Sequence, residues 1–169
     1  MIRRIQKADA CPFKALRNFE EVARYQDWPF PFTETDSAAF MEQMTSSHPD
    51  VAGEWFQFAL VEDNTGGLIG DIGFCPATDG SAEVEIGFSL HPEHQGKGLM
   101  SEALAAVFDY LFDRRGKERV LAIVDTRNAP SIRLLERLGF MREKRLAVDP
   151  EVAEYVYMLT PVRWQNDRP

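Results

Sequence analysis

The stretch His91-Pro92-Glu93-His94-Gln95-Gly96-Lys97-Gly98-Leu99-Met100-Ser101-Glu102-Ala103-Leu104 decides the fold. Upstream of it, Val84, Ile86, Phe88 and Leu90 alternate with Glu83, Glu85, Gly87 and Ser89, the period of a strand with one apolar and one polar face. Downstream, Leu99, Met100, Ala103, Leu104, Val107, Phe108 and Leu111 form an apolar stripe at helical spacing, and Gly116 after Arg114-Arg115 supplies a stop. A tight strand-to-helix connection needs one glycine, yet two stand here around a lysine. The first N–H groups of a helix have no internal partner and carry partial positive charge, so removing Cβ atoms there lets an anion reach several donors together. Lys97 adds a point charge. The turn therefore reads either as a diphosphate cradle or as an ordinary loop using glycine for its geometry.

Two familiar phosphate motifs fail. A P-loop requires G-x-x-x-x-G-K-[ST], which Gly96-Lys97-Gly98-Leu99-Met100-Ser101 does not supply. The dinucleotide fingerprint needs a third glycine where Ser101 stands, and it follows its strand directly, whereas His91 to His94 intervene.

Working outward, the chain reads as β-α-α-β-β-β-α-β-α-β-β. A short strand covers Arg3 to Lys7. A helix follows Asp9, with Phe13, Leu16, Phe19, Val22 and Ala23 at helical spacing, and a second opens at Thr35 or Asp36 with Phe40, Met41 and Met44 on one side. Between these helices the prolines of Trp28-Pro29-Phe30-Pro31-Phe32 force a loop that carries aromatics. Strands Trp55 to Val61 and Leu68 to Phe74 flank Asp63-Asn64-Thr65-Gly66-Gly67, an antiparallel hairpin signal. Past the central helix come a buried strand Arg119 to Val124, a helix bearing Ile132, Leu135 and Leu138 that stops at Gly139, and strands Phe140 to Ala147 and Ala153 to Thr160 around an Asp149-Pro150 turn. A strand–helix–strand–helix unit between antiparallel flanks gives an α/β (α+β) protein with a mixed sheet.

The length of 169 residues fits one domain, 1–169, with its core over about 3–160 and a polar tail at 161–169. No apolar run approaches the roughly 20 residues of a membrane span, so no membrane partner is expected. Met1-Ile2-Arg3-Arg4 runs on into Gln, Lys and Asp rather than an apolar segment, and the two cysteines, Cys11 and Cys75, lack metal-ligand spacing. A cytoplasmic setting is expected. The net charge of −8 argues against nucleic acid and tolerates a cationic substrate such as an amine.

Gln95-x-x-Gly98-x-Met100, between strand and helix, resembles motif A of the GNAT acetyltransferases, Q/R-x-x-G-x-G/A, with Met100 where glycine or alanine is usual. Asn128-Ala-Pro-Ser131-Ile-Arg-Leu-Leu-Glu136-Arg-Leu-Gly139-Phe140 resembles the N-x-x-S-x-x-x-x-E-x-x-G-F segment of the RimJ/RimL-like branch of that superfamily. Glu21 to Tyr25 with Trp28, Leu68 to Gly73, Glu85 to Phe88 and Ser101 to Leu104 are similar to other pieces of the branch in the same order. The likeness spans about Arg3 to Thr160.

This resemblance implies a GNAT fold, a central mixed, mostly antiparallel sheet of about six or seven strands flanked by about four helices. It implies an N-acetyltransferase that takes acetyl-CoA as co-substrate, uses no metal, and passes the acetyl group directly to a primary amine, the N-terminus of a peptide or a small molecule, as a monomer or homodimer. Main-chain groups of Phe88, Ser89 and Leu90 would pair with the pantetheine arm, and Gln95, Gly96, Lys97, Gly98, Leu99, Met100 and Ser101 would hold the diphosphate. Asn128 would bond the pantetheine arm, cap its helix, or both. Ser131 would contact the CoA sulfur and protonate the leaving thiolate.

The amine needs deprotonation. An α-amine is about one-tenth neutral at pH 7, and a lysine-type amine below about 0.1%. Glu85 is the first candidate base and Asp71, on the neighbouring strand, the second, with a water chain as an equal alternative and a salt-bridged sheet role as the alternative for Asp71. Trp28 and Phe30 line an acceptor pocket or pack as a lid on the sheet. His91 and His94, three apart in a loop, do not define a zinc site. Cys75 lacks a positioned histidine and does not read as a nucleophile. Two other classes remain: a non-catalytic acyl-CoA-binding sensor module, and a doubly wound enzyme binding NAD or ATP.

Overall fold

The computed structural model describes residues 1–147 and 152–167. Seven strands form one sheet in the order β1-β2-β3-β4-β5-β7-β6. They are β1 (Ile2–Arg4), β2 (Phe56–Val61), β3 (Leu68–Pro76), β4 (Glu83–Leu90), β5 (Arg119–Asp125), β6 (Met141–Ala147) and β7 (Ala153–Leu159). The helices are α1 (Ala10–Arg17), α2 (Glu20–Ala23), α3 (Glu34–Ser46), α4 (Leu99–Asp109), α5 (Ala129–Arg137) and α6 (Pro161–Asp167). Every neighbouring pair is antiparallel except β4 and β5. One parallel pair in seven strands removes the doubly wound alternative, which needs a parallel sheet. The Asp149-Pro150 turn lies outside the described residues.

The expected hairpin joins β2 to β3, with Phe56 opposite Phe74 and Leu60 opposite Gly70. β3 then pairs with β4 along its length, from Gly70–Leu90 to Pro76–Val84. β4 meets β5 at Glu83–Arg119, Val84–Val120 and Glu85–Leu121 only. Both strands continue past those pairs, β4 to Leu90 and β5 to Asp125, without meeting again. The sheet is forked there.

Helices pack on both faces of the sheet, while the edge strand β6 stays largely exposed. On one side Met100, Ala103, Leu104, Val107 and Phe108 of α4 and Leu135 of α5 bury against Val84, Ile86, Val120 and Ala122. α4 ends in a wider turn over Tyr110–Arg114, and Gly116, at φ 62°, stops it. On the other side Phe13 of α1 and Met41 and Met44 of α3 pack over Ile5, Ala59 and Val61.

Two departures from the sequence reading have local causes. The first helix breaks after Arg17, because the Asn18 side chain accepts from Phe32 N–H (2.9 Å) and donates to Phe32 O (2.7 Å). Phe19, expected inside, is 37% exposed and sets its edge against His91 at 4.5 Å. The segment from 161, expected as a polar tail, starts with α6. Its Trp164 is 3% exposed, packs on Phe108 at 5.3 Å and donates Nε1–H to Asp109 Oδ1 (2.8 Å). Arg168 and Pro169 lie outside the described residues.

Candidate functional site

The fork between β4 and β5 opens a narrow cavity of about 70 Å³, lined on β4 by Ile86 to Phe88 and on β5 by Ala122 to Asp125, with Asn128 and Ser131 at its α5 side. In an antiparallel ladder alternate residues turn their main-chain groups to the partner. His91 N–H donates to Ile69 O (2.7 Å), which fixes that alternation. Ser89 and Gly87 therefore face β3, whereas Ile86, Phe88 and Leu90 face the gap. Leu90 O is taken by Gln95 Nε2 (3.0 Å). Phe88, beyond the last pair with β5, keeps its N–H and C=O open to the gap, so β4 offers a free strand edge where a linear amide-bearing chain can add.

The glycine turn continues that edge. Gly96 has φ 72° and Gly98 φ 79°, a left-handed conformation that only glycine adopts without strain. Gly98 caps α4, and no side chain caps it in place of Ser, Thr or Asp. A Cβ on Gly98 would meet no atom within 4 Å, so packing does not demand glycine there; the conformation and the open approach do. Among the described residues no acceptor takes the N–H groups of Gly98, Leu99, Met100 or Ser101. Lys97 is exposed beside them, and Arg137 of α5 donates to Ser101 Oγ (3.2 Å). Met100, the departure from motif A, buries its side chain in the core at 6% exposure, which leaves its N–H at the helix start. Four free donors, one lysine and one arginine make an anion site at the end of an open strand edge.

α5 brings the third part. Asn128 Oδ1 accepts from Ser131 N–H (3.3 Å), a side-chain N-cap, and both residues line the cavity. Asp125, at the end of β5, is held below the usual carboxylate range by Arg127, which reaches it with Nε (2.9 Å) and Nη2 (2.6 Å). Behind α5, Tyr157 Oη donates to Glu136 Oε1 (2.8 Å), and burial beside that carboxylate pushes the phenol up to about 12.

Glu85 stands at the last β4–β5 pair, one residue before the cavity wall begins. Its carboxyl titrates above the ordinary range, first because it is half-buried and then because Asp27 and Glu154 repel its charge. Cys75 lies opposite it on β3, its thiol raised by burial and by Glu85. Arg119, the cation nearest in register, is engaged by Glu83 (2.7 Å) and Glu143 (2.8 Å). Among the described residues no group of three or more His, Cys, Asp or Glu is arranged to hold a metal ion.

The residues expected at the site do not all meet there. Asp71 is 3% exposed, and its carboxylate accepts from Ser89 Oγ and Gln57 Nε2 and faces Arg17 Nη2 at 3.8 Å. It is a buried sheet residue, and no acceptor reaches it. Ser89 is turned to β3 with its hydroxyl on Asp71, away from the gap assigned to it. Trp28 lies against Arg17, whose guanidinium carbon is 3.8 Å from the ring centroid, and does not line the cavity, and Phe30 is 57% exposed. The cavity wall from this loop is instead Tyr25 and Gln26, which nothing in their spacing marked.

The acetyltransferase (GNAT) domain model matches residues 1–141. The chain belongs to the GNAT acetyltransferase family. It is an N-acetyltransferase of that family, acetyl-CoA-dependent. It is 32% identical to the uncharacterized N-acetyltransferase p20 of Bacillus licheniformis over 84% of this chain and 79% of that one. It is 36% identical to the ribosomal protein uS5-alanine N-acetyltransferase of Escherichia coli over 69% of this chain and 63% of that one. The fold also matches spermidine N-acetyltransferase from Vibrio cholerae in complex with CoA and spermine, with a TM-score of 0.82 at 20% identity over 98% of each chain. The sensor alternative gives way to an enzyme. No helix among the described residues is long and apolar enough to cross a membrane.

Proposed function

We propose that this GNAT enzyme acetylates a protein N-terminal amine, with Glu85 as the base and Ser131 as the acid. The observation that carries the reading is the position of Glu85: an unpaired, half-buried carboxylate with a raised pKa at the fork of β4 and β5. A base tuned upward towards neutral pH removes a proton from an α-ammonium far more readily than from a lysine-type amine, whose pKa is about 2.5 units higher. Likeness to the uS5-alanine enzyme supports the same acceptor class. Asp27 and Glu154, whose charges reach Glu85, favour an acceptor that arrives as a cation.

Acetyl-CoA supplies an acetyl thioester. The N–H groups of Gly98 to Ser101, with Lys97, hold its diphosphate, Gln95 keeps Leu90 O covered, and Phe88 pairs with the pantetheine amides. Phe88 N–H also donates to the thioester carbonyl oxygen as negative charge grows there. Glu85 takes one proton from the attacking ammonium, the nitrogen forms its bond to the acetyl carbon, the carbon–sulfur bond breaks, and the nitrogen's second proton passes to solvent as the amide forms. Ser131 Oγ donates a proton to the departing sulfur and recovers one from solvent.

The test is acetyl transfer to a panel of alanine- and serine-terminated peptides, spermidine and an aminoglycoside. The highest kcat/KM is expected for a peptide, with an acidic limb that Glu85→Gln removes. Equal rates for Glu85→Gln and wild type across pH 6 to 9 would overturn the base, and a preference for spermidine would overturn the acceptor.

A further inference from the structure

The acceptor face of the sheet contains a cation that the chemistry above does not use. Arg17, the last residue of α1, has a side chain only 9% exposed. Its guanidinium carbon lies 3.8 Å from the Trp28 ring, 4.4 Å from Phe13, 4.9 Å from Phe40 and 5.5 Å from Phe32. The facing anion is Asp71, at 3.8 Å, itself buried and bonded to Ser89 and Gln57. Burial lowers the Arg17 pKa and raises that of Asp71, while each charge opposes the shift of the other.

Stability alone does not account for this arrangement. Arg17 Nε and Trp28 Nε1 are buried with no acceptor among the described residues. An apolar side chain among four rings would pack as well without desolvating a charge pair or orphaning donors. What the ion pair supplies is direction, because a guanidinium held closest to the Trp28 ring and facing the Asp71 carboxylate, with the charge of Asp27 also acting on it, has few places to sit.

The pair is joined to both walls of the cavity through near neighbours along the chain. Trp28 follows Tyr25 and Gln26, which line it, and the next anchor along, Phe32, is clamped by Asn18, the neighbour of Arg17. Ser89, bonded to Asp71, follows Phe88, whose open main chain forms the opposite wall.

We propose that Arg17 and Asp71 are positioning residues for acetyl transfer: the pair fixes Trp28, and through it Tyr25 and Gln26, over the fork where the acceptor amine meets Glu85. The inference rests on the cavity being the transfer site. The acceptor's KM therefore depends on the pair, while the KM for acetyl-CoA, set by the glycine turn, does not.

The test compares wild type, Arg17→Lys, Arg17→Met and the double variant Arg17→Met/Asp71→Asn, using acetyl-CoA and the best acceptor of the panel. Arg17→Met is expected to raise the acceptor KM about tenfold with kcat and the acetyl-CoA KM nearly unchanged, and Arg17→Lys to recover most of that loss. Should Arg17→Met fail to fold because Asp71 is left buried without its cation, the double variant carries the test: with both charges gone it is expected to keep the wild-type Tm and still show the acceptor defect. A readout independent of any acceptor is hydrogen exchange at the Gln26 amide, which donates to Ala23 O (3.0 Å) and is expected to lose protection in the double variant while α3 does not. A double variant with unaltered acceptor KM and unaltered exchange at Gln26 would overturn the proposal, as would equal rises in the two KM values. Full activity of Glu85→Gln and Ser131→Ala would instead sink the transfer site, leaving the exchange result to judge the pair by itself.

Discussion

The two faces of β4 are built on opposite terms. Its even-numbered residues, Val84, Ile86 and Leu90, sit in a continuous apolar core under α4 and α5, and the polar work on that side is left to main-chain groups of Phe88 and Gly98 to Ser101. Its odd-numbered residues look onto side chains: Glu85 among Asp27 and Glu154, Ser89 on Asp71, and beyond them Gln57 and Arg17. A co-substrate met by backbone is recognised through strand edges and helix ends that any apolar core can support. An acceptor met by side chains depends on which residues a distant loop happens to bring.

Breaking the backbone side should give the largest effect. Gly98→Val forces a β-branched residue into φ 79° and fills the approach to the free N–H groups, so acetyl-CoA is expected to bind at least about 100-fold more weakly by calorimetry, with Tm lowered by several degrees through the strained turn. On the side-chain face, Glu85→Gln should lower kcat by about 100-fold at neutral pH and leave acetyl-CoA binding intact. The sign of its stability effect is opposite. The folded Glu85 pKa is raised above the unfolded 4.5, so the fold favours the protonated acid. That contribution is fully present below the ordinary glutamate range and is lost as pH rises through the raised value. Glu85→Gln should therefore raise Tm at neutral pH while it removes activity. Asp27→Asn, by relieving repulsion, should move the acidic limb of kcat/KM to lower pH, read from the rate profile.

Smaller effects sharpen the contrast. Ser131→Ala should cost about tenfold in kcat, more with a poor thiol leaving group, since Asn128 keeps its cap on the Ser131 N–H rather than on the hydroxyl. Lys97→Gln, at an exposed cation, should raise the acetyl-CoA KM about threefold and lessen its dependence on salt.

The same contrast explains what the chain disclosed before folding. Gly98 and Asn128 were legible because a left-handed turn demands glycine and a helix start demands a cap, and both demands are local, whereas Gln95 and Ser131 stood out only through the resemblance. The fork appears where β4 passes Glu85. Tyr25 and Gln26 were not legible, since their place at the cavity depends on Asn18 breaking α1 against Phe32, a contact fourteen residues away. Arg17 reads as one more polar position on an amphipathic helix until the rings of Phe13, Trp28, Phe32 and Phe40 surround it. Asp71 was suspected for its charge, yet its partners, Ser89 and Gln57, come from two other strands. Trp164 reached the core through a seven-residue helix too short to show a period.

Amide chemical shifts during titration with CoA test most directly whether the main chain holds the co-substrate. The resonances of Phe88, Gly98, Leu99, Met100 and Ser101 are predicted to move most and to gain protection from exchange, with Gly53 and Gly80 unmoved. Saturable CoA binding that left those five amides in place and shifted others would contradict the account.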